Sequence, residues 1–156
     1  MLQSYTTRPQ RYPSEIGHIF VTDKEYEEMK DDICAFTEFD GHKYWATNSQ
    51  INECDVYVID PDGIDYFKEL YKGNKIPYSI ELKTSKKVRK KRMLSRGDSR
   101  KDVRRRLKHD KKKFAGFTGD HIINGDLSVA EVVNQIAFIM YVENHLIEKQ
   151  EEMSNE

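Results

Sequence analysis

Ser4-Tyr5-Thr6-Thr7-Arg8-Pro9-Gln10-Arg11 is the stretch on which the reading of this chain turns. Arg8 and Arg11 stand three residues apart, two threonines and a serine precede them, and Pro9 stiffens the bend between them. Proline holds φ near about −65° and removes a donor, so the segment predicts a shaped loop and not a helix. Two guanidinium forks on such a loop suit the oxygens of a phosphate, because Arg binds planar oxyanions bidentately. The plainer alternative is a basic N-terminal tail in solvent. These eight residues alone leave both open.

The rest of the composition narrows the class. A chain of 156 residues fits one domain and can bury a core of its own. Hydrophobic residues make up 37% and charged residues 34%, with no apolar run long enough for a transmembrane helix and no signal-peptide start. Cys34 and Cys54 have neither metal spacing nor a disulfide framework, which fits a reducing cytoplasm. Net charge is −1, yet between Lys86 and Lys113 sixteen Lys or Arg face three Asp. An anionic partner is expected for that segment.

Along the chain, His18 to Val21 predicts a short strand, and Thr22-Asp23-Lys24-Glu25 carries the capping-box spacing of a helix start. Cys34 to Phe39 alternates as strands do, Gly41 turns the chain, and Lys43 to Ala46 returns. Val56-Tyr57-Val58-Ile59 predicts a strand buried on both faces, followed by Asp60-Pro61-Asp62-Gly63 and a helix over 64–71. A strand over 76–82, a helix from Ser85 broken at Gly97, a basic helix over 99–113 and a strand over 120–124 come next. Ser128 then starts an amphipathic helix with a stripe of Val129, Val132, Val133, Ile136, Ile139, Met140 and Ile147. Strand and helix in alternation predict an α/β fold with a parallel sheet.

Three constellations could carry chemistry. Asp60 closes the expected buried strand, where open α/β sheets bind ligands, and it could hold Mg²⁺ or accept from a ligand; otherwise it is a turn residue before Pro61. Arg92, Arg96 and Arg106 would bring three guanidiniums to a hinge at Gly97, as phosphoryl-transfer clamps do; otherwise this is a solvated helix or a nucleic-acid surface. Lys86 to Lys113 contains no aromatic residue, so stacking platforms for single strands are missing. Glu38, Tyr44 and Thr47, on and beside the hairpin, could read a base edge and a phosphate, or be ordinary surface residues.

In this order the pieces resemble the guanylate kinase family from Ser4 to about Ile136. Ser4, Thr6, Thr7, Arg8 and Arg11 match its Ser-x-Thr-Thr-Arg-x-x-Arg loop, and Asp60-Pro61-Asp62-Gly63 matches its Asp-x-x-Gly strand end. Arg92, Arg96-Gly97 and Arg106-Leu107 look like its Arg-x-x-x-Arg-Gly and Arg-Leu elements, and Asn124 with Asp126-Leu127 like its late strand end. The resemblance implies a P-loop NTPase-type parallel sheet flanked by helices, with a small β-rich monophosphate lid. It implies transfer of the γ-phosphoryl of ATP to GMP, giving ADP and GDP, with Mg²⁺ accompanying ATP. Ser4, Arg8, Arg11, His18, Glu38, Tyr44, Thr47 and Asp60 would serve the monophosphate substrate, Asn124 the ATP side, and Arg92, Arg96 and Arg106 catalysis.

Two departures qualify this. None of the eight glycines is followed by Lys, so the family's Gly-x-x-x-x-Gly-Lys-Ser/Thr loop is not in these residues. The first strand, that loop and the first helix are accordingly expected to be missing, as in a truncated or mis-started product with little activity. In the base-reading region His18 stands where a Tyr is expected, and the Glu that reads guanine falls near Ala35 or Phe36, leaving Glu38 as substitute. The expectation is one domain over 1–156, with a monophosphate lid over 18–47, a basic lid segment over 92–113 and a frayed tail over 151–156. Its partners would be purine nucleotides in the cytoplasm, with no membrane or nucleic acid, and a second copy or another partner covering the exposed sheet edge. The alternative is a non-catalytic guanylate-kinase-like module that binds a nucleotide or a phosphopeptide.

Overall fold

The computed structural model describes residues 1–154, without the side chains at positions 151 and 154. The chain divides into two compact units, Met1–Lys75 and Ile76–Glu156.

The first unit is built on a four-stranded sheet in the order β2-β1-β4-β3, from β1 (Ser4–Thr6), β2 (His18–Phe20), β3 (Ile33–Phe39) and β4 (His42–Thr47). β1 runs parallel to β2 and antiparallel to β4, so this sheet is mixed where a parallel one is expected. The reason is local. Asp40 and Gly41 both take positive φ, 54° and 75°, and a two-residue turn of that kind joins β3 to β4 as a hairpin, which can only be antiparallel. The arginine stretch therefore begins as a strand, Ser4–Thr6, and becomes a loop only at Thr7.

Trp45 is fully buried at the centre of this sheet. Tyr5 stacks on it at 5.6 Å and Tyr26 meets it edge-on at 4.9 Å. Tyr26 lies on α1 (Asp23–Met29), which Thr22 and Glu25 start with a full capping box. On the other side Leu2, Cys34, Ala35, Ala46 and Ile51 form a core cluster, joined by Tyr57, Ile59, Phe67 and Tyr71. Burial pushes the Cys34 thiol up to about 12, which marks it as a packing group.

Two elements differ in kind from expectation, and the strand expected over 76–82 is confined to Ile80–Lys83. Val56 to Ile59 is not a strand. Its backbone tie to the N-terminal strand region is Leu2 N to Val56 O at 2.8 Å, and Val58 is 77% exposed. β-branched residues favour a pleated, half-buried surface, but a ladder needs a neighbour on at least one edge. Tyr57 and Ile59 instead pack one side of an extended segment onto the core. The second is α2 (Asn48–Asn52), a short helix that hydrophobic periodicity does not reveal but whose Thr47–Gln50 capping box does. The unit closes with α3 (Pro61–Leu70), capped by Asp60 with Pro61 in its first turn.

The second unit pairs β5 (Ile80–Lys83) in parallel with β6 (His121–Asn124). Between them run α4 (Lys86–Ser95) and α5 (Arg100–Lys113), capped by Ser85 and Ser99. Gly97, at φ 97°, ends the first of these helices in the left-handed conformation that glycine adopts freely. Met93, Val103 and Ile123 are its buried apolar residues. α6 (Val129–Ser154) meets β6 through a contact of His121 Nε2 with Glu143 Oε1 at 2.6 Å. The helix runs through to Ser154, and the rest of the tail expected to fray, positions 155 and 156, lies outside the described residues. No helix among the described residues is long and apolar enough to cross a membrane.

Candidate functional site

The loop after β1 holds its shape through its own hydroxyls. Thr6 Oγ1 accepts from Arg8 N at 3.1 Å, and Thr7 Oγ1 accepts from Lys43 N at 3.1 Å. Both threonines thus fold the loop and pin it to β4.

Arg8 is committed inward. Its Nη2 and Nη1 donate to Glu15 Oε1 and Oε2 at 2.8 and 3.2 Å, and Nη1 also donates to Pro9 O at 2.8 Å. The guanidinium carbon stands 5.2 Å from the centre of the Phe20 ring, in cation–π range. Glu15 further accepts from Arg11 N at 2.7 Å. These donors, Arg8 first, hold the Glu15 carboxyl down at about 2. The Arg11 guanidinium is different. It lies 3.5 Å from Glu15 and its side chain is 56% exposed, so most of its donors face solvent.

Beside this pair the sheet adds three polar groups. Ser4 Oγ and His18 Nδ1, neighbours across the parallel pair, lie 3.0 Å apart. The His18 ring meets the Tyr44 ring edge-on at 5.5 Å, and Tyr44 in turn interacts with Arg8. Burial and then the Arg8 charge hold His18 below its ordinary value, so the imidazole is neutral near pH 7. Ser4, His18, Tyr44, Arg8 and Arg11 therefore form one linked group. It offers a half-free guanidinium, a phenol and, from the bonded Ser4–His18 pair, one free donor set by the imidazole tautomer, groups suited to an oxyanion.

The other expected residues of this unit lie apart in role. Glu38 is exposed on β3, opposite Lys43, whose Nζ goes to Asp23 at 2.9 Å. Thr47 is buried as the cap of α2, its Oγ1 accepting from Gln50 N at 3.3 Å. Asp60 caps α3, accepting from Gly63 N at 2.9 Å and from Thr37 Oγ1 at 2.9 Å. Its carboxylate is engaged in shaping the chain where the sequence suggests a ligand for metal or base.

In the second unit Arg96 is the C-cap of α4 and not part of the helix face that Arg92 occupies. Its guanidinium turns onto Asp98, with Nη2 to Oδ2 at 2.6 Å and Nε within 3.1 Å of both oxygens. Arg92 Nη2 donates to Leu127 O at 3.4 Å. Arg106 is half-buried on α5. Asn124 ends β6 and accepts from Asp126 N at 3.0 Å, closing the turn that leads to α6. One bond that joins α4 to α5, Arg89 Nη1 to Asp110 Oδ2 at 2.9 Å, involves neither expected clamp residue on α4.

Glu15 is the residue that sequence reasoning missed. A carboxylate four residues after Arg11 and seven after Arg8, in a segment with no helical periodicity, was the available signal.

The fold is an α/β fold of guanylate-kinase type, and it is shared with a solved enzyme structure. The crystal structure of guanylate kinase from Anaplasma phagocytophilum is similar to this chain at a TM-score of 0.67 and 22% identity, covering 91% of this chain and 74% of that one. That likeness extends to the fold alone. No protein-family model matches the sequence. A search of curated proteins finds no match.

Proposed function

We propose that this chain is a guanylate-kinase-like nucleotide domain whose first unit binds the phosphate of a purine monophosphate. The observation that carries the reading is the linked group of Ser4, His18, Tyr44, Arg8 and Arg11 in a fold of guanylate-kinase type. Arg11 meets the phosphate with its exposed guanidinium, while Tyr44 and the bonded Ser4–His18 pair each supply one donor. Arg8, engaged by Glu15, holds the loop and contributes its charge from behind. Glu38 lies near the base, and Asp60 keeps the extended segment before it and α3 in place.

The reaction of this class moves the γ-phosphoryl of ATP to GMP. Arg92, Arg96 and Arg106 are assigned to the donor phosphates and Asn124 to the ATP side. Among the described residues no group of three or more His, Cys, Asp or Glu side chains could hold a metal. Mg²⁺ bound by nucleotide needs few protein ligands, so it would arrive on the phosphates of ATP. The 156 residues contain no Gly-Lys phosphate loop, and much of the positioning and charge stabilisation of phosphoryl transfer comes from that element. Weak binding of the monophosphate and slow turnover are expected of a chain with these residues.

Calorimetric titration with GMP, with and without Arg11→Ala, tests the binding. Heat that saturates in the parent and is lost in the variant supports it, and no heat in either removes it. A coupled assay with ATP and GMP reaching the roughly 1–100 s⁻¹ of ordinary kinases would overturn the expectation of slow turnover.

A further inference from the structure

The outward face of α5 carries a row of cations that the nucleotide reading does not use. Lys101, Arg104, Lys108, Lys111 and Lys112 are all exposed. At helical spacing they fall within an arc of about 100°, on the side away from buried Val103. Among the described residues none of the five makes an ion pair, whereas Arg105 at the row's edge is held by Asp102 at 3.0 Å. The helix is 14 residues long, so the row runs along most of about 21 Å. The neighbouring helix α4 adds Lys87, Lys90 and Lys91 around an open surface groove.

Five unpaired like charges at successive turns repel one another and destabilise a helix by a few tenths of a kcal/mol per pair. A polyanion along the row removes that repulsion. The row contains no apolar side chain, so it lacks the buried face by which an amphipathic helix enters a lipid surface. It contains no aromatic side chain either, so single-stranded bases find no stacking platform. What remains is a row of charge about 21 Å long, along which part of a phosphodiester backbone can lie.

We propose that α5 binds the phosphodiester backbone of a double-stranded nucleic acid through Lys101, Arg104, Lys108, Lys111 and Lys112, without reading its sequence. The site is independent of the monophosphate group in the first unit and stands or falls separately from it.

The test is fluorescence anisotropy of the full chain with labelled DNA and RNA duplexes of about 20 base pairs, across salt. Five phosphate contacts predict a log–log salt slope of about −4.5 on DNA, a loss of affinity of roughly 500-fold between about 50 and 200 mM salt. The fivefold variant K101Q/R104Q/K108Q/K111Q/K112Q should bring the slope near zero while keeping the circular dichroism and GMP titration of the parent. K24Q, an exposed lysine of the first unit, should leave the slope as it is. A scrambled duplex should bind like any other. No binding to either duplex at low salt overturns the proposal, as does a slope that survives the fivefold change. So does preferential binding to vesicles of anionic phospholipid, or a variant whose fold is intact and whose duplex affinity matches the parent's.

Discussion

Arg8 grips Glu15 through both terminal nitrogens, at 2.8 and 3.2 Å, and the pair is almost wholly shielded from solvent, with 11% and 6% of the two side chains exposed. One of the two guanidiniums that the sequence offers to a phosphate is thus already matched to a carboxylate of its own loop. Arg11 N completes the cradle around the same carboxylate. The outcome is a division of labour between two arginines that look equivalent in the chain.

That pair makes stability depend on acid in a defined direction. The folded Glu15 carboxyl sits near 2, below its ordinary value of about 4.3 in an unfolded chain. Its contribution is therefore fully present above about pH 4.3 and is lost as pH falls through the folded value. Denaturant melts from pH 5 down to about 2 should show stability dropping across that window. Glu15→Gln should remove this part of the slope and lower stability at pH 7, where the parent gains from the ionised carboxylate.

Arg8 and Arg11 should separate by function. Arg8→Ala leaves a shielded Glu15 without its main partner, so thermal melts should fall well below those of the parent. Arg11→Ala changes a side chain that is 56% exposed, so its melting temperature should stay close to the parent's. GMP titration should reverse the order of interest, with Arg11→Ala losing at least about tenfold in affinity, or roughly 1.4 kcal/mol. Equal melting temperatures for the two variants would contradict the division.

Asp60 is predicted to act through α3. Asp60→Ala removes the acceptor for Gly63 N and Thr37 Oγ1, and loss of such a cap costs about 1 kcal/mol. Asp60→Asn keeps a capping oxygen and should recover most of it, as urea midpoints will show. If Asp60→Asn were as destabilised as the alanine variant, the charge and not the cap would be what matters.

Trp45 offers a cleaner packing test. The indole is fully buried, yet its Nε1 has no hydrogen-bond partner among the described residues. Trp45→Phe therefore loses volume but no hydrogen bond, and should cost less than the roughly 3–5 kcal/mol expected of Trp45→Ala. Urea unfolding of both variants measures the difference. Near-equal losses would mean that the indole nitrogen is satisfied in solution.

How far the chain can be read without coordinates depends on the range of the interaction. The helix starts at Thr22, Ser85 and Ser99 were legible because a cap is a bond to the residue three positions on. The hairpin turn was legible at Gly41 for a similar reason. Val56 to Ile59 misled because its apolar, β-branched composition is the same whether or not a neighbouring strand supplies a ladder. Thr47 and Asp60 were legible as polar residues at element ends, but a capping oxygen and a ligand-binding oxygen look alike in one dimension.

The sequence by itself determined the α/β alternation, the caps, the cationic segment and the likeness to guanylate kinase, all of them carried by residue type at short spacing. Only the tertiary structure decided that Glu15 occupies Arg8, that Ser4, His18 and Tyr44 gather beside Arg11, and that five cations of α5 make no ion pair among the described residues. Each of those depends on which strands become neighbours and which face a helix buries, and these follow from packing among residues far apart in the chain.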